Sequence, residues 1–148
     1  MVATTLRGRA RAAAVGPGTS FWVYKQLTSS GITTSAADLT GVSSGGKLYI
    51  KQIILKTDGT GLAAGTNFVL SSNNANGLAN ILSTAVSGLG ANKTVTLLDA
   101  SVTKVPTILE SGKKIQHSCT GSACTGSGKI DVYIEFVRLD EDATIAAA

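Results

Sequence analysis

The sequence predicts an all-β domain, a jelly-roll-like antiparallel β-sandwich preceded by an extended N-terminal arm. Short apolar or alternating segments recur along the chain between turns rich in Gly, Asn, Asp and Ser. No amphipathic helix separates them, which disfavours a parallel sheet, because parallel strands need crossovers of about a dozen residues or more. The last segment, Gly128 to Leu139, places Ile130, Val132, Ile134 and Phe136 on one face and Lys129, Asp131, Tyr133 and Glu135 on the other. That is the pattern of an antiparallel strand with one wet side. At 148 residues the chain has room for one domain, and no period of about 20 to 50 residues marks a repeat architecture.

Taken in order, residues 1–18 read as the arm. They lack a hydrophobic period, carry Arg7, Arg9 and Arg11 among small residues, and end in Gly16-Pro17-Gly18 as a hinge. Residues 19–139 form the sandwich and 140–148 a C-terminal tail. The first strand spans Ser20 to Leu27, with Phe21, Val23 and Lys25 facing one way and Trp22, Tyr24 and Gln26 the other. A Ser/Thr/Gly loop follows to Gly46, with one helical turn expected around Ala36, Ala37 and Leu39. Lys47 to Thr57 is long and β-branched enough for a central strand, and its alternation falters at Gln52 to Leu55, as at a bulge or a doubly buried stretch.

Asp58-Gly59-Thr60-Gly61 turns the chain, and Asn67 to Leu70 is a shorter strand ending in a loop to Asn76-Gly77. Leu78 to Val86 fits a helical turn or a strand equally well. Thr94 to Leu98 alternates cleanly. Val102 to Glu110 follows, with Pro106 suited to an edge or a strand start because it has no N–H to donate. Ser111-Gly112 then spaces that segment from Lys113-Lys114-Ile115 as a tight hairpin would.

Charge and composition bound the partners. Charged residues are only 15% of the chain, below the usual figure of about 25%, so the surface suits contact. The net charge is +4, but its distribution disfavours nucleic acid: the arm holds three arginines, the nine lysines are scattered between Lys25 and Lys129, and Asp140, Glu141 and Asp142 form an acidic run. A basic head and an acidic tail around a nearly neutral body suit docking of termini onto protein neighbours, and alternate arginines on an extended arm can pair bidentately with carboxylates. The apolar stretch Ala12 to Val15 is too short for a signal-peptide core of about 7 to 15 residues. Nothing approaches a membrane span of about 18 apolar residues. The expectation is a protein made in the cytoplasm, without a membrane partner.

No catalytic motif stands out, and the chain is expected not to be an enzyme. Phosphate-binding loops of the P-loop or dinucleotide type are missing from the sequence, and although Gly41 to Gly45 spells G-x-S-x-G, it lies in the Ser/Thr/Gly loop with no strand-to-helix elbow around it. The single histidine, His117, reads as a loop or surface residue at a strand end, and Asp99, Glu110, Asp131 and Glu135 read as solvated charges at turns or on a wet strand face. Cys119 and Cys124 are spaced C-x4-C, so they either pinch the loop as a disulfide or stay as two reduced thiols. With His117 they supply at most three soft ligands, and structural zinc wants four. No metal and no cofactor are expected.

The Arg/Ala-rich arm ending in Gly-Pro-Gly, the body segments LYIKQIILKTDGTG and GTNFVL, the ILESGKKI turn and the closing strand GKIDVYIEFVRL together resemble the small decoration, or cement, proteins on the heads of tailed bacteriophages. The resemblance covers most of the chain and contains no diagnostic motif. It implies a jelly roll or related sandwich, a homotrimer, and attachment to a lattice of major capsid protein through extended termini, hence a place on the virion surface. Trimeric dUTPases share the length and β content, but their glycine-rich nucleotide motifs are not found. The competing reading is a glycan- or receptor-binding β-module of a phage fibre or bacterial surface protein, with Trp22, Tyr24, Tyr49 and Tyr133 as sugar-stacking residues.

Overall fold

A computed structural model of the chain describes residues 17–72, 80–98 and 107–148. The arm arginines, the Asn76-Gly77 turn, Asp99, and the segment from Val102 through Pro106 lie outside them. The described residues form nine strands and two short 3₁₀ turns: β1 (Ser20–Thr28), β2 (Ala37–Asp38), β3 (Leu48–Thr57), β4 (Asn67–Ser72), β5 (Asn80–Ala85), β6 (Thr94–Leu98), β7 (Thr107–Leu109), β8 (Ile115–Cys119) and β9 (Lys129–Arg138). One sheet has the order β1-β9-β3-β6, with β7 also paired to β3; the other has the order β2-β8-β4-β5. All these pairings are antiparallel. The pairs β4–β5, β3–β6, β2–β8 and β1–β9 nest one outside the next along the chain, with successive strands shared between two sheets. This is jelly-roll connectivity.

Alternation builds the core. Ile130, Val132, Ile134 and Phe136 are each at most 1% exposed, as the last segment's pattern requires. They pack with Leu48, Ile50, Ile53 and Leu55 of β3 and with Phe68, Leu70, Ile81, Leu82 and Ile115 of the facing sheet. In β3 the inward set runs Leu48, Ile50, then Ile53 and Leu55, because a register shift between Ile50 and Gln52 inserts an extra residue and turns exposed Lys51 outward. One turn depends on close backbone approach: a Cβ at Gly128 would lie against the carbonyl of Gly61, itself at φ +72°. Asp58 Oδ1 organises that turn by accepting from the N–H groups of Thr60 and Gly61 at 2.9 and 2.8 Å.

Two expected elements take another form. The segment around Ala36, Ala37 and Leu39 is not a helical turn: Ala37 and Asp38 pair with His117 and Gln116 as β2, and Asp38 is tied to Lys114 and Gln116 at 2.9 and 3.0 Å. The ILESGKKI turn is not a hairpin either. Its first limb pairs with β3 and its second with β4 and β2, so Ser111-Gly112 carries the chain from one sheet to the other. Ser43 holds that crossing, with Oγ donating to the Glu110 carbonyl at 2.8 Å and accepting from Lys113 N–H at 3.2 Å. The ambiguous Leu78 to Val86 segment resolves, from Asn80 onward, into strand β5 followed by a 3₁₀ turn, Val86–Leu89.

Residues 140–148 run back along 39–44, with bridges Thr40 to Ala147 and Ser44 to Thr144, and they bury Ala143 and Ile145 at one end of the core. Among the described residues no helix is long and apolar enough to cross a membrane.

Candidate partner-binding surface

The inward rule that fills the core also fixes what faces out. In β1 the odd positions Phe21, Val23, Lys25 and Leu27 point into the sandwich, so Ser20, Trp22, Tyr24, Gln26 and Thr28 point away from it. Residues directly opposite each other in an antiparallel pair share a face, and the register therefore assembles the outer face row by row. Ser20, Val137, Tyr49 and Ile108 form one row; Trp22, Glu135 and Gln52 the next; Tyr24, Tyr133, Ile54 and Thr96 the third; Gln26, Asp131, Lys56 and Thr94 the fourth.

Rows rich in aromatic and aliphatic side chains thus alternate with rows that carry the polar ones, Glu135 and Gln52 beside Trp22 in the second and Gln26, Asp131, Lys56 and Thr94 in the fourth. Trp22 and Tyr24 are 46% and 48% exposed and Ile108 is 45% exposed, an uncommon state for three large apolar side chains on one sheet face. Tyr24 packs on Tyr133 with ring centroids 4.9 Å apart.

The polar members are fixed in place. Asp131 Oδ1 accepts from Tyr24 Oη and from Gln26 Nε2, each at 2.9 Å, and this hydrogen bond to a carboxylate holds the Tyr24 pKa above the usual tyrosine value. Glu135 accepts from Gln52 Nε2 at 2.9 Å and stands 3.9 Å from Lys51 Nζ. It is buried, not solvated as its place on a wet face led one to expect. Trp22 and Gln52, opposite it in register, flank the carboxylate on both sides. These held rotamers make the face a stiff platform, which lowers the entropy lost when a partner settles on it.

Gly18 and Thr19, which lead into β1, are anchored at one end of this sheet. Gly18 N–H donates to the Arg138 carbonyl at 2.7 Å, and Arg138 N–H donates to Thr19 at 2.8 Å. The Arg138 guanidinium lies 4.3 Å from the Phe21 ring centroid and donates to the Ala143 carbonyl at 2.9 Å. Asp140, Glu141 and Asp142 are exposed just beyond, and Asp140 Oδ2 accepts from Lys47 N–H at 2.7 Å. The chain therefore enters the sandwich beside its acidic run. Arg7, Arg9 and Arg11 themselves fall outside the described residues.

Of the other sequence candidates, Cys119 and Cys124 come together, both buried, with Sγ atoms 2.8 Å apart. His117 is not a loop residue. It occupies the middle of β8 and points inward, 5% exposed. Among the described residues no three His, Cys, Asp or Glu side chains converge to hold a metal ion. Trp22, Tyr24, Tyr49 and Tyr133, picked out as aromatics, share one face. What the sequence did not supply was their neighbours Ile54, Ile108 and Val137, which join the patch only through cross-strand register. Within each strand the period-two pattern told the outward positions; the pairing told which of them meet.

No protein-family model matches this chain, and no curated protein matches it. Solved structures do. A chain in the acidic stable capsid structure of Helicobacter pylori bacteriophage KHP30 aligns with a TM-score of 0.52 at 10% identity, over 87% of this chain and 94% of that one. What the two share is the fold. A chain of the capsid asymmetric unit of cyanophage Pam1 aligns with a TM-score of 0.47 at 15% identity, over 82% of this chain and 86% of that one.

Proposed function

We propose that this chain is a virion structural protein that decorates the outside of a tailed-phage head and stabilises contacts between capsomers of the major capsid protein lattice. The observation that supports the reading is the likeness of fold to a chain of the KHP30 capsid, which runs through most of both chains. The stiff outer face centred on Trp22, Tyr24 and Tyr133 supplies an apolar contact area with few net charges to desolvate. The basic arm, rooted at the rim of the same sheet, supplies reach to a second subunit. A homotrimer fits the weakly charged surface, because closed symmetry buries a flank without open-ended growth. In this reading the chain is made in the host cytoplasm, resides on the capsid surface and performs no catalysis.

A second reading keeps a specific observation of its own: aromatic rings alternate with planar polar side chains on the outer face, as in platforms that stack and hydrogen-bond sugars. One experiment separates the two. Native mass spectrometry gives the oligomeric state, and co-sedimentation with shells lacking the protein is run beside binding to a panel of immobilised glycans. Decoration predicts shell binding without glycan binding, weakened at least about tenfold by Trp22→Ala with Tyr24→Ala, since truncating two aromatic anchors removes about 2 kcal/mol or more. Glycan binding in the absence of shell binding overturns the proposal.

A further inference from the structure

Cys119 and Cys124 are both buried, 2% and 3% exposed, and nothing in the proposed attachment uses them. Cys119 ends β8, the chain turns through Thr120 to Ala123, and Cys124 returns beside it. Both ends are clamped to consecutive carbonyls of one segment: Cys119 N–H donates to Thr33 at 2.8 Å and Cys124 N–H to Ile32 at 2.9 Å. The turn between them is tied to the strand alongside, with Thr66 N–H donating to Thr120 and Thr120 N–H to Asn67, at 2.8 and 2.9 Å. The two sulfurs are thereby held facing each other, 2.8 Å apart. Gly65, at φ +76°, roofs them: a Cβ there would collide with Cys119 Sγ and lie 3.4 Å from Cys124 Sγ. The space a side chain would need at residue 65 is filled by the sulfur pair.

A nucleophilic role needs a thiolate with a base or cation beside it, and here burial, with the hydrogen bond between the thiols, pushes the Cys124 thiol up to about 12. A metal role needs more ligands than converge on the pair among the described residues. Oxidation fits, because the backbone already presents the two sulfurs to each other and a disulfide needs only a short further approach to about 2.05 Å. We infer that Cys119 and Cys124 form a redox site that closes into an intramolecular disulfide, locking the turn 119–124 against the 32–33 and 63–66 segments.

The oxidant is an external disulfide of the glutathione class. One cysteine thiolate attacks it, forming a mixed disulfide and releasing one thiol. The second cysteine attacks the protein sulfur of that mixed disulfide and releases the other thiol. One S–S bond breaks and one forms; the two protons and two electrons lost by the protein are carried off by the two released thiols. Burial of both sulfurs makes this exchange slow in the folded protein and faster while the chain folds.

The inference is independent of shell binding and is tested on the purified full chain. The protein is treated with oxidised glutathione, once folded and once during refolding, and then alkylated in denaturant. Closure predicts a product two hydrogens lighter, resistant to alkylation, whose peptide map links residues 119 and 124. Its unfolding midpoint lies on the order of 5 °C above that of the reduced protein. Cys119→Ser and Cys124→Ser abolish both the mass change and the redox dependence of the midpoint; should either variant fail to fold, the mass and peptide map of the parent still decide. Two alkylated cysteines after both treatments, or only glutathione adducts and linked dimers, overturn the inference.

Discussion

His117 sits in mid-β8 with its ring turned into the sandwich, and its Nδ1 meets no hydrogen-bond partner among the described residues. Burial, reinforced by the charge of Lys25 and opposed by Asp38, pulls its pKa below the ordinary histidine value. The consequence for stability has a definite sign. Above a pH of about 6.5 the imidazole is neutral in folded and unfolded chains alike, and it imposes no penalty. As the pH falls through that value the unfolded chain takes up a proton that the folded one resists, so stability drops until the depressed folded pKa is passed. We expect the thermal midpoint of the parent to fall between pH 7 and pH 5 by more than that of His117→Gln; equal losses in the two proteins would refute this. Neither His117 nor Glu135 revealed its burial in the sequence. Each sits in an alternating pattern that specifies a face, but His117 is enclosed by the opposite sheet and Glu135 by Trp22 and Gln52 across two strand pairs. Those are neighbours that no single strand can announce.

At the scale of elements, strands with long alternation were legible and connections were not. β1 and β9 read directly because their buried and exposed positions alternate over most of their length, and the irregularity of β3 was visible although the bulge falls just before the place where the pattern falters. The Ser111-Gly112 turn misled because two-residue spacing is the same whether the flanking strands pair together or part to different sheets. The deciding residue is Ser43, distant in sequence and 1% exposed, whose hydroxyl bonds the backbone on both sides of the crossing. Ser43→Ala leaves the Glu110 carbonyl and the Lys113 N–H, both partly buried, without that partner. We expect it to cost about 1 to 3 kcal/mol, read as a lower urea midpoint with an unchanged slope. Ser44→Ala, on an exposed neighbour, serves as the control and is expected to lie within about 0.5 kcal/mol of the parent.

At the scale of the molecule, nested strand pairs bring the entry of the chain and its last residues to the same region, since the outermost pair is β1–β9 and residues 140–148 continue from β9 along the rim. Gly18 and the acidic run Asp140 to Asp142 thus lie at the same end of the sandwich, and if residues 1–18 act as the proposed arm, repeated copies on a lattice would present opposite charges to their neighbours at the same places. The apolar side chains of residues 1–18 are Met1, Val2, Leu6, Val15 and five alanines, with no hydrophobic period and no aromatic, so we expect the sandwich to gain little core from them. Arg7, Arg9 and Arg11 are spaced so that an extended backbone points all three side chains the same way. Partly desolvated pairs with carboxylates contribute about 1 to 3 kcal/mol each, and the loss of three should weaken attachment at least about tenfold. The triple variant Arg7→Ala, Arg9→Ala, Arg11→Ala is therefore expected to keep the parent's thermal midpoint while losing occupancy on assembled shells. Its residual binding should also fall less steeply with added salt, because the interactions that salt screens have been removed. Occupancy equal to the parent's at every salt concentration would show that attachment rests on the folded body alone, and would leave the outer face of Trp22, Tyr24 and Tyr133 as the surface that holds the protein to its lattice.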